Sequence, residues 1–105
     1  MNTIKEFQEK VNDWILNHGG YWPPLSMLSA IMEELGELAR EINHSEGYKL
    51  KKNGMEESNL GTELGDLLFS IICVANHYQI DLNAELETVM KKYDKRDSKR
   101  FTKIK

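Results

Sequence analysis

The sequence has few residues that could form a covalent or soft-metal site, and it has no long hydrophobic run. Its single cysteine, Cys73, excludes an internal disulfide and a cysteine-based zinc cage, and is interpreted as a small buried residue. The longest apolar stretch, residues 67–75, is too short to span a bilayer. The N-terminus lacks the apolar core of a signal peptide. We therefore expect a cytoplasmic protein with no membrane partner.

Basic charge is scarce outside the C-terminal end. The 105 residues carry a net charge of −3. Residues 91–105 contain eight Lys or Arg and two Asp, whereas residues 1–90 contain six basic and 15 acidic side chains. An acidic body argues against binding of a nucleic-acid polymer across the whole surface, while the basic end is compatible with a small anionic ligand.

Hydrophobic periodicity predicts four helices and no strand, so the expected fold class is all-α. The predicted helices cover roughly residues 3–18, 24–43, 59–79 and 82–96. Thr3 and Glu6 fit a capping box at the first helix, and Gly19 and Gly20 end it. Asp81 fits an N-cap for the fourth helix.

The predicted domain organisation is one helical domain over residues 1–96, followed by a basic tail over residues 97–105. Residues 44–58 lose all periodicity, which is typical of a functional or disordered loop. The third helix is apolar around nearly its whole circumference, which one short chain can hardly bury. We therefore expect the protein to self-associate with this helix at the centre.

Two acidic hexamers are the most distinctive feature of the sequence. EELGEL begins at residue 33, and TELGDL begins 29 positions later. Both fall inside predicted helices, where residues three apart are neighbours on one face. Glu34 and Glu37 therefore form one pair of carboxylates, and Glu63 and Asp66 form a second pair.

Each hexamer has a central glycine, Gly36 or Gly65, which costs about 1 kcal/mol relative to alanine in a helix interior. We interpret this cost as a sign of close backbone approach, which would bring the acidic pairs face to face. Two unit charges about 4 Å apart repel each other by roughly 4 kcal/mol at an effective dielectric constant near 20. Such carboxylates either extend into water or bind a cation, and oxygen-only ligands suit Mg²⁺ or Mn²⁺.

The hexamers resemble a known family signature. EELGE from residue 33, followed by ELGD from residue 63, is similar to the EExxE…ExxD signature of MazG-type nucleoside triphosphate pyrophosphohydrolases. The resemblance extends to the prolines before the second helix, to the run DLLFSIICVANHYQIDLNAE and to the ending KKYDKR. It is closest to short, single-domain members of the family.

The resemblance implies a fold and an activity. The fold would be a four-helix bundle that is oligomeric through its central helices, as a dimer or a dimer of dimers. The activity would be Mg²⁺-dependent hydrolysis of a (d)NTP to the monophosphate and pyrophosphate, with Mn²⁺ as a substitute metal. House-cleaning of the nucleotide pool is a further implication of the family.

Carried over by motif position, the resemblance also implies catalytic residues. The metal ligands would be Glu34, Glu37, Glu63 and Asp66. By the same resemblance, Glu33 would be an acid that either supports the metal ligands or positions water. It lies about 100° around the helix from Glu34, so it cannot share the ligand geometry of Glu34 without a twist.

Other residues are expected at the substrate. Lys92 and Arg96 match a basic pair that contacts phosphates, and their i, i+4 spacing lets both reach one ligand. Asn76 matches a recurrent asparagine that would contact substrate. Tyr21 and Trp22 either pack between helices or stack on a nucleobase.

Two alternative functions stay open at this point. Phosphoribosyl-ATP pyrophosphatase resembles the chain in size and in its acidic helices, although the second hexamer fits the MazG pattern better. A non-catalytic helical interaction module would carry the same bundle without binding a metal.

Overall fold

Four α-helices and no strand form the described part of the chain, residues 3–47 and 59–97 of a computed structural model. This confirms the predicted all-α class. The helices are α1 (Ile4–Leu16), α2 (Pro24–Ser45), α3 (Leu60–His77) and α4 (Leu82–Asp97).

Local signals set the helix ends as the sequence predicts. The Thr3 hydroxyl accepts the Glu6 backbone N–H at 3.2 Å, and the Glu6 carboxylate accepts the Thr3 N–H at 3.1 Å. Gly19 and Gly20 follow α1 with φ angles of 100° and 86°, which other residues rarely adopt. The Asp81 carboxylate accepts two backbone N–H groups in the first turn of α4.

Helices α2 and α3 are the central pair, and they run antiparallel. Near the start of α2, Met27 packs in the core with Ile72 and Cys73 from the second half of α3. Near the end of α2, Glu41 bonds to Asn59, the residue that precedes α3. Cys73 is buried, as predicted, and burial raises the pKa of its thiol.

A buried glutamine joins the other two helices to α3. The Gln8 side chain donates to Asn76 Oδ1 at 3.0 Å and to the Ile80 carbonyl at 2.8 Å, and it accepts the Leu82 N–H at 2.9 Å. Asn76 in turn donates to the Gln8 carbonyl at 2.9 Å. One side chain of α1 therefore fixes both the end of α3 and the start of α4.

Helix α4 is less buried than its apolar pattern predicts. Helical spacing predicts that the apolar residues of α4 face inward, but only Leu82 and Val89 are half-buried, while Leu86, Met90 and Tyr93 are exposed. The reason is that, within the described residues, α4 packs chiefly on α1.

Apolar side chains are also exposed on α1 and α3. Trp14 lies on the apolar stripe of α1, which predicts a position in the core, but it is 53% exposed in the single chain. On α3 the exposed apolar residues are Leu64, Leu68, Phe69 and Ile71. A single copy of the chain therefore leaves a large apolar surface in contact with solvent.

The helix boundaries differ slightly from those predicted. Helix α2 continues past residue 43 to Ser45, and α4 ends at Asp97, one residue beyond the predicted domain boundary. Most of the predicted loop, residues 48–58, and residues 98–105 of the predicted tail lie outside the described ranges. Among the described helices, none is long and apolar enough to cross a membrane.

Candidate metal centre

Carboxylates from both central helices meet in one cluster. Glu34 and Glu37 of α2 and Glu63 of α3 each place a carboxylate oxygen within 4.8 Å of the others. Glu34 and Glu63 are half-buried, and Glu37 is exposed. The i, i+3 spacing puts the first two on one face of α2, and the antiparallel pairing brings the start of α3 beside them.

The two glycines of the hexamers do not bring the helices together. Apart from the backbone of its own helix and its chain neighbours, a Cβ atom added at Gly36 or at Gly65 would have no atom of the described residues within 4 Å. The expected close backbone approach is therefore wrong for the described single chain. The acidic side chains reach one another across the helix pair without a glycine contact.

Two oxygens of the cluster have no protein partner. Glu34 Oε2 and Glu63 Oε2 are shielded from solvent, and within residues 3–47 and 59–97 no hydrogen-bond donor is paired with either. A buried charged oxygen without a partner is costly, so this arrangement needs a proton or a cation.

The donor set fits a small hard cation. Every ligand atom is a carboxylate oxygen, which is the type that Mg²⁺ and Mn²⁺ prefer. Adjacent ligand oxygens of octahedral Mg²⁺ lie about 3 Å apart, so the three oxygens, which are within 4.8 Å of one another, would draw closer together around a bound ion.

The cluster shifts the acidity of its own members. Desolvation raises the pKa of Glu34, and the charges of Glu37, Asp66 and Glu33 raise it further. Desolvation also raises the pKa of Glu63, followed by the Glu37 charge and a hydrogen bond between these two carboxyl groups. Crowded carboxylates thus hold protons more tightly than free ones.

The remaining acidic candidates lie at the edge of the cluster. Asp66 is exposed, and its charge acts on both Glu34 and Glu63. Glu33 is exposed, and its charge acts on Glu34. All five predicted acidic residues are therefore brought to one region of the molecule, although their roles as ligands and catalysts stay predictions.

The predicted phosphate contacts lie elsewhere in the single chain. Lys92 and Arg96 are exposed on α4, and both stand over the ring of Tyr93, at 4.9 Å and 4.8 Å from its centroid. Arg96 also makes a bidentate ion pair with Asp97, with a closest distance of 2.8 Å. Helix α4 packs chiefly on α1, so within one chain Lys92 and Arg96 are not part of the packed α2–α3 pair.

Asn76 is placed at the opposite end of α3 from the cluster. Its side-chain amide is engaged with Gln8 on both its oxygen and its nitrogen. This contact joins helices, and a contact of Asn76 with substrate stays a prediction.

An aromatic cavity lies one helical turn from the cluster. Its volume is about 320 Å³, and it opens between the end of α1, the start of α2 and the middle of α3. Ala30 and Ser70 are lining residues four positions from Glu34 and Asp66, respectively. The lining consists mainly of aromatic and apolar side chains: Trp14, Ile15, His18, Gly20, Tyr21, Trp22, Met27, Ala30, Phe69, Ser70 and Cys73.

Sequence reasoning missed one acidic residue on the same face of α2. Glu41 is buried, accepts the Asn59 N–H at 2.9 Å and lies 4.0 Å from His44. Glu41 and His44 have the Glu-x-x-His spacing of di-iron bundles, but such sites need two of these pairs and the sequence has one. The signal that could have revealed Glu41 is its spacing of seven and four residues from Glu34 and Glu37.

Comparisons with known proteins agree with this architecture. The sequence pattern of the MazG nucleotide pyrophosphohydrolase domain matches residues 23–101. The uncharacterized protein YpjD of Bacillus subtilis (strain 168) is 41% identical over 102 residues, covering 96% of this chain and 92% of that protein.

Two crystal structures are similar to the chain over nearly its whole length. The structure of YpjD from Bacillus subtilis has a TM-score of 0.81 and 40% identity, covering 90% of this chain and 97% of that one. A Bacillus-conserved MazG protein, described as a nucleotide pyrophosphohydrolase, has a TM-score of 0.78 and 40% identity, covering 95% and 98%.

The raised pKa of Glu63 predicts a pH-dependent stability in the metal-free protein. The folded state binds the proton of Glu63 more tightly than the unfolded state, so this stabilisation is complete below the usual value of 4.5. It is lost as the pH rises through the raised pKa. We expect Glu63→Gln to become progressively more stable, relative to the unmodified protein, between about pH 4 and pH 7.

The measurement is thermal unfolding in EDTA across this pH range. Glu87→Gln on the exposed face of α4 is the control, and its difference from the unmodified protein should stay nearly constant. A constant difference for Glu63→Gln would contradict the interpretation of the cluster.

Proposed function

Because the chain belongs to the family of MazG nucleotide pyrophosphohydrolases, we propose that it hydrolyses a nucleoside triphosphate to the monophosphate and pyrophosphate in a Mg²⁺-dependent reaction. The observation that carries the proposal is the meeting of Glu34, Glu37 and Glu63 with two unpartnered buried oxygens. Such a cluster is stable when a divalent cation replaces the protons that crowding favours.

The residues of the chain have separate proposed roles. Glu34, Glu37, Glu63 and Asp66 would hold the metal, and Glu33 would orient the attacking water from the edge of the cluster. When bound, Mg²⁺ neutralises phosphate charge and favours ionisation of a water molecule. The water oxygen forms a bond to phosphorus while the bond to the pyrophosphate oxygen breaks, and no covalent enzyme intermediate is needed.

The proposal predicts release of pyrophosphate from at least one member of a panel of normal and modified (d)NTPs. Glu34→Gln, Glu37→Gln and Asp66→Asn, tested separately, should each lower kcat/KM by at least about 100-fold, because each removes a charged metal ligand. Glu87→Gln, far along the sequence on α4, is the matched control and should retain activity.

The same panel separates the alternatives. Phosphoribosyl-ATP, included as a substrate, tests the alternative that the protein is a phosphoribosyl-ATP pyrophosphatase. If no nucleotide is hydrolysed with Mg²⁺ or Mn²⁺, or if the three variants remain fully active, the proposed chemistry is wrong. The modified nucleotides test the proposed house-cleaning role, which we place in the cytoplasm.

The aromatic cavity supports a nucleotide as the substrate. A triphosphate at the cluster would have its nucleoside about one helical turn away, where the cavity lies. The cavity volume of about 320 Å³ is in the range of small-ligand sites. Trp22 lines it and is 65% exposed, so its ring is available to stack on a base.

Replacement of Trp22 should therefore weaken substrate binding more than chemistry. Stacking of a base on an aromatic side chain is worth about 1–3 kcal/mol, so Trp22→Ala should raise KM by about 5-fold to 150-fold with little change in kcat. Leu25→Ala, at an exposed position in the first turn of α2, is the control. An unchanged KM for Trp22→Ala would show that the base does not stack on Trp22 in this cavity.

We also propose that two copies of the chain build each site. Apolar side chains of α1, α3 and α4 remain exposed in one copy, and an apolar surface of this extent is typical of an interface. In this arrangement Lys92 and Arg96 of a second copy would reach the phosphates, because α4 of the same chain packs on α1. Arg96 would then exchange its ion pair with Asp97 for a phosphate.

Subunit mixing tests the shared site. Glu37→Gln and the double variant Lys92→Ala/Arg96→Ala should both be inactive alone. In a symmetric dimer formed from an equal mixture, about a quarter of the sites would be intact, so activity should return to about that fraction. No recovery after co-refolding, or a monomer by sedimentation at all concentrations, would contradict the shared site.

A further inference from the structure

The geometry points to Glu41 as a positioning residue for the acidic cluster, an inference that rests on the proposed function. Its side chain is only 11% exposed, although Glu41 belongs to neither hexamer. A carboxylate is rarely buried without a charged or hydrogen-bonding partner. The contacts of Glu41 show what its burial accomplishes.

Glu41 connects α2 directly to the first turn of α3. Its Oε2 atom accepts the backbone N–H of Asn59 at 2.9 Å. The Asn59 carbonyl accepts the backbone N–H of Glu63 at 2.9 Å, which is the first hydrogen bond of α3. A single residue therefore lies between the carboxylate of Glu41 and the backbone of a proposed metal ligand.

The start of α3 needs this contact. Asn59 occupies the N-cap position, but its own side chain makes no capping hydrogen bond. The N–H groups at a helix start have no intrahelical partner. Glu41 supplies, from a neighbouring helix, a hydrogen-bond acceptor for the N–H of the N-cap residue itself.

The position of Glu41 on α2 explains why the contact matters for the cluster. Glu41 follows Glu37 by four residues, so the two side chains lie on the same face of α2. The face of α2 that presents Glu37 to Glu63 therefore also carries Glu41, which binds Asn59 at the start of α3. With this hydrogen bond intact, Glu63 stays close to Glu34 and Glu37 despite their mutual repulsion.

The test compares three substitutions. Glu41→Met keeps the length and volume of the side chain but removes the acceptor. Glu41→Gln keeps a carbonyl oxygen that can accept the Asn59 N–H. Asp81→Ala removes the N-cap of α4, so it weakens another helix start without touching the cluster.

We expect Glu41→Met to raise the Mg²⁺ concentration for half-maximal turnover, and the Kd for Mn²⁺ measured by electron paramagnetic resonance, by about 10-fold or more. Glu41→Gln should restore both values to within about 3-fold of the unmodified protein. Asp81→Ala should lower the Tm and leave both values unchanged. Asp81→Ala also removes a contact at a helix start. If Glu41 only stabilised the fold, Glu41→Met would therefore behave like Asp81→Ala, with a lower Tm and an unchanged metal affinity.

Each outcome decides the inference. Unchanged metal affinity in Glu41→Met overturns it, and so does an equal defect in Glu41→Gln, since the charge and not the hydrogen bond would then matter. If Glu41→Met does not fold, Glu41→Asp takes its place, because it shortens the reach to Asn59 by one methylene group. An unmodified protein that binds no Mn²⁺ overturns the proposed function, and this inference with it; that result is seen before any Glu41 variant is compared.

Discussion

The repulsion between carboxylates on α2 and α3 is the constraint around which the molecule is organised. Glu34, Glu37 and Glu63 hold oxygens within 4.8 Å of one another, and the Oε2 atoms of Glu34 and Glu63 have no hydrogen-bond donor among the described residues. Left to themselves, such groups would separate into solvent. Their convergence must therefore be maintained by the rest of the fold.

Two polar contacts, one at each end of α3, hold this helix in position beside α2. At its C-terminal end, Gln8 binds Asn76 and the turn into α4. At its N-terminal end, Glu41 binds Asn59. Both Gln8 and Glu41 are buried, so competition from water is weak and each hydrogen bond has a strict geometry. Helix α3 is thus restrained in both its axial position and its rotation relative to α2.

The sequence predicted local features well and long-range features only in part. Helix ends followed from short-range chemistry, such as the Thr3 capping box and the Asp81 cap. The acidic residues were found because they repeat within a motif. Glu41 was missed because it lies outside the repeated motif. Its spacing places it on the same face of α2, but its bond to the backbone N–H of Asn59 is a long-range contact that the sequence does not reveal. The expected burial of Trp14 failed because helical periodicity identifies an apolar face but not the surface that covers it.

The aromatic cavity has a consequence for how the protein can be observed. The chain has two tryptophans, and both of them line this one cavity. Trp14 stacks on His18 with ring centroids 4.1 Å apart and meets the edge of Phe69, whereas Trp22 is largely in solvent. Tryptophan emission, excited at wavelengths where tyrosine does not absorb, therefore originates at a single region next to the acidic cluster and serves as an unlabelled optical probe of it.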